Sequence, residues 1–297
     1  MTKEVLVLCF VLMCLPVPSE AAEQISAINK APAQSPAKAP DPSPAFNFSI
    51  DGSVPAEFDS NINRVPHNAT ADFHYSPFFK LSAITDLRPD LTYSIFADTS
   101  IDRYTQYYNT NSSMAGVGTQ LVKKWDRLQL GVSYDWNQYY DREFRKLIGV
   151  NNDFGVFLRY YYSAPDASFR IKPNFSLMSR LDDNLVVQRY LYYFKVDFEH
   201  KLIDHWSFVV TPRVRFYDYV GTQNGRQDWV YSASAGLRRA ITDGLNFTTT
   251  VGYENRASNR PVKNYNDWTV QASLDFSYTI FRSKGGAESD FLQWYSH

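Results

Sequence analysis

Cysteine is absent from all but the start of this chain. Both cysteines, Cys9 and Cys14, lie in its N-terminal segment. Once that segment is removed, no disulfide, thiol nucleophile or cysteine-ligated metal is available. No charge sign dominates either: 30 Lys and Arg stand against 31 Asp and Glu. Losing Lys3, Glu4 and Glu20 brings the signs into balance, which argues against nucleic acid as a partner. Long apolar runs are also missing. Mean hydropathy is −0.37, too low for a bundle of membrane-spanning helices. The apolar run Val5 to Leu15 falls short of the roughly 20 residues a spanning helix needs. His67, His74, His200, His205 and His297 show no metal-ligand spacing, so no metal or cofactor is expected.

That apolar run follows Lys3 and is broken by Pro16 and Pro18. With small residues at Ser19 and Ala21 it reads as a secretory signal peptide over 1–21. Residues 22–44 are rich in Ala and Pro and poor in large apolar groups. Such a composition cannot bury enough surface to fold, so an extended periplasmic linker is expected there.

Aromatic residues, in contrast, are abundant: 21 Tyr, 21 Phe and 6 Trp, 16% of the chain. They sit in a repeated design. In Phe169-Arg170-Ile171-Lys172-Pro173-Asn174-Phe175-Ser176-Leu177 the odd positions are apolar or proline and the even ones polar or charged. A strand sends successive side chains to opposite faces, so each such stretch has one greasy and one wet face. The pattern predicts strands near 45–52, 74–86, 91–107, 114–123, 128–143, 154–163, 168–181, 186–200, 206–219, 228–241, 245–257 and 265–281. Short connections (Leu87–Asp90, Trp125–Arg127, Ala164–Ala167, Leu202–His205, Thr242–Gly244) alternate with longer polar ones. The latter are Asn109–Ser113, Arg145–Asp153, Leu181–Leu185, Gly221–Gln227 and Ala257–Asn264. Alternating short turns and long loops mark an all-β, closed, antiparallel up-and-down transmembrane β-barrel of about 12 strands, with its short turns in the periplasm. A Greek-key sandwich would not keep this order. The barrel is expected over 45–281, with 282–297 as a C-terminal tail.

The greasy faces carry Leu128, Leu130, Val132, Tyr134 and Trp136, then Phe194, Val251 and Leu274 further along. Trp136, Trp229 and Trp268 toward the long-loop rim, and Trp125 and Trp206 at the short-turn rim, suit the aromatic girdles at the two membrane interfaces. Pro173 and Pro212 fall inside strands, where each removes a ladder hydrogen bond. Bulges are expected at both.

These residues resemble the outer-membrane β-barrel porin superfamily, and look closest to the loosely defined porin-like barrels of proteobacteria. The resemblance covers residues 45–281 and rests on pattern. It implies a Gram-negative outer-membrane location, contact with membrane lipids and lipopolysaccharide, and insertion by the barrel assembly machinery. The alternation Leu274, Phe276, Tyr278, closing at Phe281, resembles the family's terminal assembly signal, although Arg282 to His297 continue beyond it.

The wet faces would line the lumen. Arg159, Arg170, Lys172, Arg189, Lys195, Arg213, Arg215, Arg238 and Arg256 would form a basic wall. Asp98, Asp102, Asp135 and Asp275 would form an acidic wall opposite. About twelve strands leave a narrow lumen. The expected function is passive diffusion of small anionic or zwitterionic solutes, with no enzymatic activity. The alternatives are a structural or adhesin-like barrel plugged by its side chains, and a lipid hydrolase with His74 as base and Ser76 as nucleophile. His74 and Ser76 share a strand face at a spacing suited to proton transfer, but that face points inward, away from lipid. Asn151-Asn152-Asp153 and Asp182-Asp183-Asn184 read as solvated loop clusters rather than calcium sites. Gly116 and Gly118 read as small inward residues on a strand. Nothing in the linker specifies a periplasmic partner.

Overall fold

A computed structural model of the chain describes residues 46–107, 111–182, 188–223 and 225–283. The expected signal peptide, linker and nearly all of the C-terminal tail lie outside these residues. So do the expected cluster at 183–184 and part of the loop at 109–113.

Among the described residues the strands are β1 (Phe46–Asp59), β2 (Asp72–Tyr75), β3 (Phe78–Arg88), β4 (Leu91–Tyr104), β5 (Ser112–Trp125), β6 (Leu128–Asp141) and β7 (Leu147–Tyr160). There follow β8 (Tyr162–Ser163), β9 (Phe169–Asp182), β10 (Arg189–Ile203), β11 (Trp206–Tyr219), β12 (Gln227–Thr242), β13 (Leu245–Ser258) and β14 (Tyr265–Arg282). β2 and β3 are one stave, and so are β7 and β8, because each pair keeps a single register against its neighbours. The result is a closed antiparallel barrel of 12 staves. Closure is made by β1 against β14, from Asn47 opposite Arg282 to Asp59 opposite Thr269. A closed ring pairs the backbone of every stave on both sides, the condition for a sheet to exist in hydrocarbon. Most staves are 14 residues long, more than the roughly 9–11 a tilted spanning strand needs.

Short turns and long loops alternate around the whole ring, and the chain enters and leaves at the short-turn rim. One expected loop is wrong. Arg145–Asp153 is not a connection: β7 starts at Leu147, and the loop is Arg142–Lys146. Asn151 and Asp153 are buried strand residues, so the expected solvated cluster there is overturned as well. The first stave is longer than expected, reaching Asp59.

The prolines behave differently from the expectation. No register shift marks Pro173 or Pro212, so neither sits in a bulge. Each instead leaves a gap on one side. Pairing of β9 with the β7–β8 stave stops after Arg159 opposite Asn174 and resumes at Tyr162 opposite Ile171, in the same register. β10–β11 pairing skips from Lys195 opposite Arg213 to Phe198 opposite Val210. The break between β2 and β3 likewise spans Ser76 and Pro77, where the shared register sets Pro55 of β1 opposite Ser76. A proline cannot donate to the ladder, but the strands on either side are long enough to hold the register without a bulge. At Pro212 a side chain bridges the gap: Thr211 Oγ1 donates to Asp197 Oδ1 at 3.1 Å.

The faces follow from burial. Along β12, Trp229, Tyr231 and Leu237 are exposed while Val230 is 0% exposed. Phe194 and Val251 lie on the exposed outer face. The outer wall is therefore apolar, as lipid requires.

Candidate functional site

Inside the ring, side chains fill the space unevenly. Along β1, Asn47, Ser49 and Asp51 are buried, and Ile84, Val122 and Phe157 form an apolar cluster across β3, β5 and β7. Two glycines make room for inward rings. A Cβ on Gly131 would lie 2.0 Å from the Phe157 ring, and one on Gly118 would lie 2.3 Å from Phe96. Only a residue without a side chain lets those rings lie flat on the wall. On β11 and β12 a second buried cluster holds Tyr217, Tyr219 and Val230. Arg213, which shares the inner face with buried Val209 and Tyr217, is itself exposed.

The residues of the sequence-derived basic wall fall on inward alternates: Arg159 on β7, Arg170 and Lys172 on β9, Arg189 and Lys195 on β10, Arg213 and Arg215 on β11, Arg238 on β12 and Arg256 on β13. Asp98 and Asp102 on β4, Asp135 on β6 and Asp275 on β14 share that face. Many of these charges are paired. Arg238 Nη1 meets Glu199 Oε2 at 3.1 Å, and Lys195 Nζ meets Asp197 Oδ2 at 3.0 Å. Arg215 pairs with Glu254, and Arg256 Nε stands 3.9 Å from Asp228. Asp275 accepts from Ser53, Thr248 and Ser273 at 2.7–3.1 Å. Lys80 lies 3.7 Å from the Phe96 ring centroid and interacts with Asp98, Asp135 and Asp51. Among the described residues no ion pair reaches Arg213 or Arg170.

Register brings together what sequence spacing hides. Gln129 stands opposite Arg159, Arg159 opposite Asn174, Asn174 opposite Lys195, Lys195 opposite Arg213 and Arg213 opposite Ser232. The row starts at Lys124, beside the short turn after β5, and continues through Glu254 to Asp267, near the long loop before β14. Such a row runs across tilted strands and therefore climbs the wall. It crosses the lumen from one rim to the other.

At the long-loop rim the row ends in a built corner that the sequence reading missed. Asp59 and Asp267 clamp Arg64, and Asn61 donates to the backbone of Val65 and Asn266 at 2.9 Å. Burial opposes the Arg64 charge, but Asp59, Tyr265 and Asp267 raise its pKa above the ordinary value. Asp72 accepts from the backbone N–H groups of Gln106 and Tyr107 at 3.0 Å and so anchors the next loop. Arg189 and Arg256 lie over Tyr217 at 4.7 and 5.8 Å, and Arg226 lies over Tyr219 at 4.3 Å. The girdle tryptophans project outward. Trp229 packs 4.6 Å from Phe216 and Trp268 packs 4.7 Å from Tyr253, near the long-loop rim. Trp136 lies on the outer alternate of β6. Trp206 opens β11 at the other rim, under the Arg239 guanidinium.

His74 is stacked on Tyr104 at 4.8 Å, Ser76 sits at the proline break, and no hydrogen bond joins them among the described residues. Asp72, which could orient a histidine, is committed to its loop.

No known family profile matches the chain, and no curated protein matches it in sequence. Solved structures do. The COG4313 outer membrane channel from Pseudomonas putida F1 is similar at 9% identity, over 82% of this chain and 100% of that one, with a TM-score of 0.50. A KdgM porin matches at 9% identity over 76% and 99%, TM-score 0.42. The translocator domain of autotransporter NalP from Neisseria meningitidis matches at 8% over 91% and 96%, TM-score 0.40. Likeness at this level is a likeness of fold. The chain is a transmembrane β-barrel of the outer-membrane type, resembling porins and channels.

Proposed function

We propose that this barrel is a narrow pore for passive diffusion of small anionic or zwitterionic solutes across the bacterial outer membrane. The observation that carries this reading is Arg213, a cation on the inner face that is exposed and has no ion pair among the described residues. A charge placed in a narrow lumen is costly unless water or a counter-charge meets it. Arg213 lies in one climbing row with Arg159 and Lys195, so an anion entering from the short-turn rim meets cations in succession. Cleavage after Ala21, short turns in the periplasm, and contact with lipopolysaccharide and the assembly machinery belong to the same reading.

Conductance of the purified, folded barrel in planar bilayers tests it. Steps with a reversal potential favouring anions are expected, and Arg213→Glu should move that potential toward cations. A folded barrel that stays silent would remove the pore. A potential unmoved by Arg213→Glu would remove the selectivity. The second reading, a plugged structural barrel, draws on the buried cluster of Ile84, Val122 and Phe157, and silence in the same measurement would favour it.

A further inference from the structure

The row of Gln129, Arg159, Asn174, Lys195, Arg213 and Ser232 contains more than charge. Between and beside its three cations stand two carboxamides and a hydroxyl. Gln129 Oε1, Asn174 Oδ1 and Ser232 Oγ are shielded from bulk water, yet no protein atom bonds them. Leaving a shielded polar atom unbonded is costly, because its hydration is lost with nothing gained in return. The three atoms stand on the first, third and sixth staves of one row. Asp275 is matched by three hydroxyls and Arg180 by both oxygens of Asp153, while Asn47, Ser49, His74, Arg215 and Arg256 each also keep one shielded atom unbonded elsewhere on the inner face.

Neighbouring positions on adjacent strands have Cβ atoms about 4.5–5.5 Å apart. Asn174 therefore stands within one small solute's reach of the cations on either side. Arg159 and Arg213 both act electrostatically on Lys195. Asp197 bonds Lys195 at 3.0 Å, and Glu254, opposite Ser232, is engaged by Arg215 and Tyr265; Arg213 has no ion pair among the described residues. A carboxamide turned about its terminal torsion offers either its oxygen or its N–H, and a hydroxyl offers both roles. Cations alone suit any anion. Cations interleaved with groups that accept as well as donate suit an anion that also carries hydroxyl hydrogens.

We infer that this row is a binding track for small anions bearing their own hydroxyl groups, the negative group on Lys195 and Arg213 and the hydroxyls on Asn174, Gln129 and Ser232. The inference rests on the pore reading for access and goes beyond it by naming the solute chemistry. Hydrogen phosphate and sugar acids share that chemistry, and two matched pairs separate them. Chloride conductance of the folded barrel is measured with added hydrogen phosphate against sulfate at pH 8, and with glucuronate against cyclohexanecarboxylate. The hydroxylated member of at least one pair should block at a concentration about tenfold lower than its partner, and which pair does so identifies the source. Asn174→Leu should remove that preference while leaving the anion-favouring reversal potential in place; Arg213→Gln should weaken both members alike. Equal block within both pairs, or a preference that survives Asn174→Leu, would overturn the track and leave the pore standing. If the barrel is silent, calorimetric titration of the same four anions into detergent-folded protein reads the preference directly, and equal or absent binding overturns it.

Discussion

Arg180 on β9 and Asp153 on β7 stand directly opposite each other in the ladder and are joined by two parallel hydrogen bonds. Nε reaches Oδ1 at 2.8 Å and Nη2 reaches Oδ2 at 2.7 Å. The carboxylate is almost wholly buried, its side chain 5% exposed. Removing one partner of such a pair strands the other, whereas replacing both by apolar groups does not. Arg180→Met is therefore expected to lower unfolding stability by about 3 kcal/mol. Arg180→Met with Asp153→Leu should recover most of that. Urea unfolding of the barrel in lipid vesicles, run as a double-mutant cycle, checks it; additive losses would mean the pair is not coupled.

The staves were legible because lipid demands alternation, and alternation survives in one sequence. Phe169 to Leu177 shows it even across Pro173. The ends of staves were less legible, for a physical reason. Beyond the hydrocarbon both faces of a strand are wet, so Asn151, Asn152 and Asp153 look like a loop although they belong to β7. Pro55 hid the last residues of β1 in another way, since Val54, Ala56 and Phe58 keep the alternation around it. The charges of the lumen were visible as residue types, but the climbing row was not. Register between staves fixes the row, and register depends on closure of the ring, which no local pattern encodes. The corner at Arg64, Asp59 and Asp267 joins residues some two hundred apart in sequence, out of reach for the same reason.

Gly131 and Phe157 give a packing prediction. Phe157 lies on the bare backbone of Gly131, where a Cβ would come within 2.0 Å of the ring. Gly131→Ala must push the ring into the lumen or shift β6, and overpacking of this kind typically costs about 1–3 kcal/mol. Paired Gly131→Ala and Phe157→Leu should restore stability by relieving the overlap. Unfolding midpoints of the three variants decide the matter. A silent Gly131→Ala variant would show that the ring does not lie there.

Pro173, Val196 and Pro212 make a weak line across three neighbouring staves. Val196 faces Pro173 on β9, and in the shared register its place opposite β11 is Pro212, where the pairing is missing. Pro212→Val supplies the absent N–H on an outward alternate without adding a lumen side chain. It should raise stability by about 1 kcal/mol, the net worth of one hydrogen bond, and slow amide exchange at Val196 and Asp197. Unchanged exchange at those two amides would mean the gap is closed by other means.

The sharpest test of which face meets lipid uses two adjacent residues of β13. Val251 lies mid-stave on the outer face and is 52% exposed. Thr250 points inward, opposite Gly236 on β12 and Gln271 on β14. In hydrocarbon an arginine at mid-depth costs about 2–4 kcal/mol. The same arginine one residue earlier enters an inner face that already carries the exposed Arg213. Val251→Arg should therefore lower folding stability in vesicles by about 2–4 kcal/mol, while Thr250→Arg should cost less than half as much. A soluble sandwich reverses the logic: there the exposed position would tolerate arginine and the inward one would not. Folding yields and urea midpoints of the two variants, compared with wild type, settle the orientation of the wall, and on it depends any account of what the lumen carries.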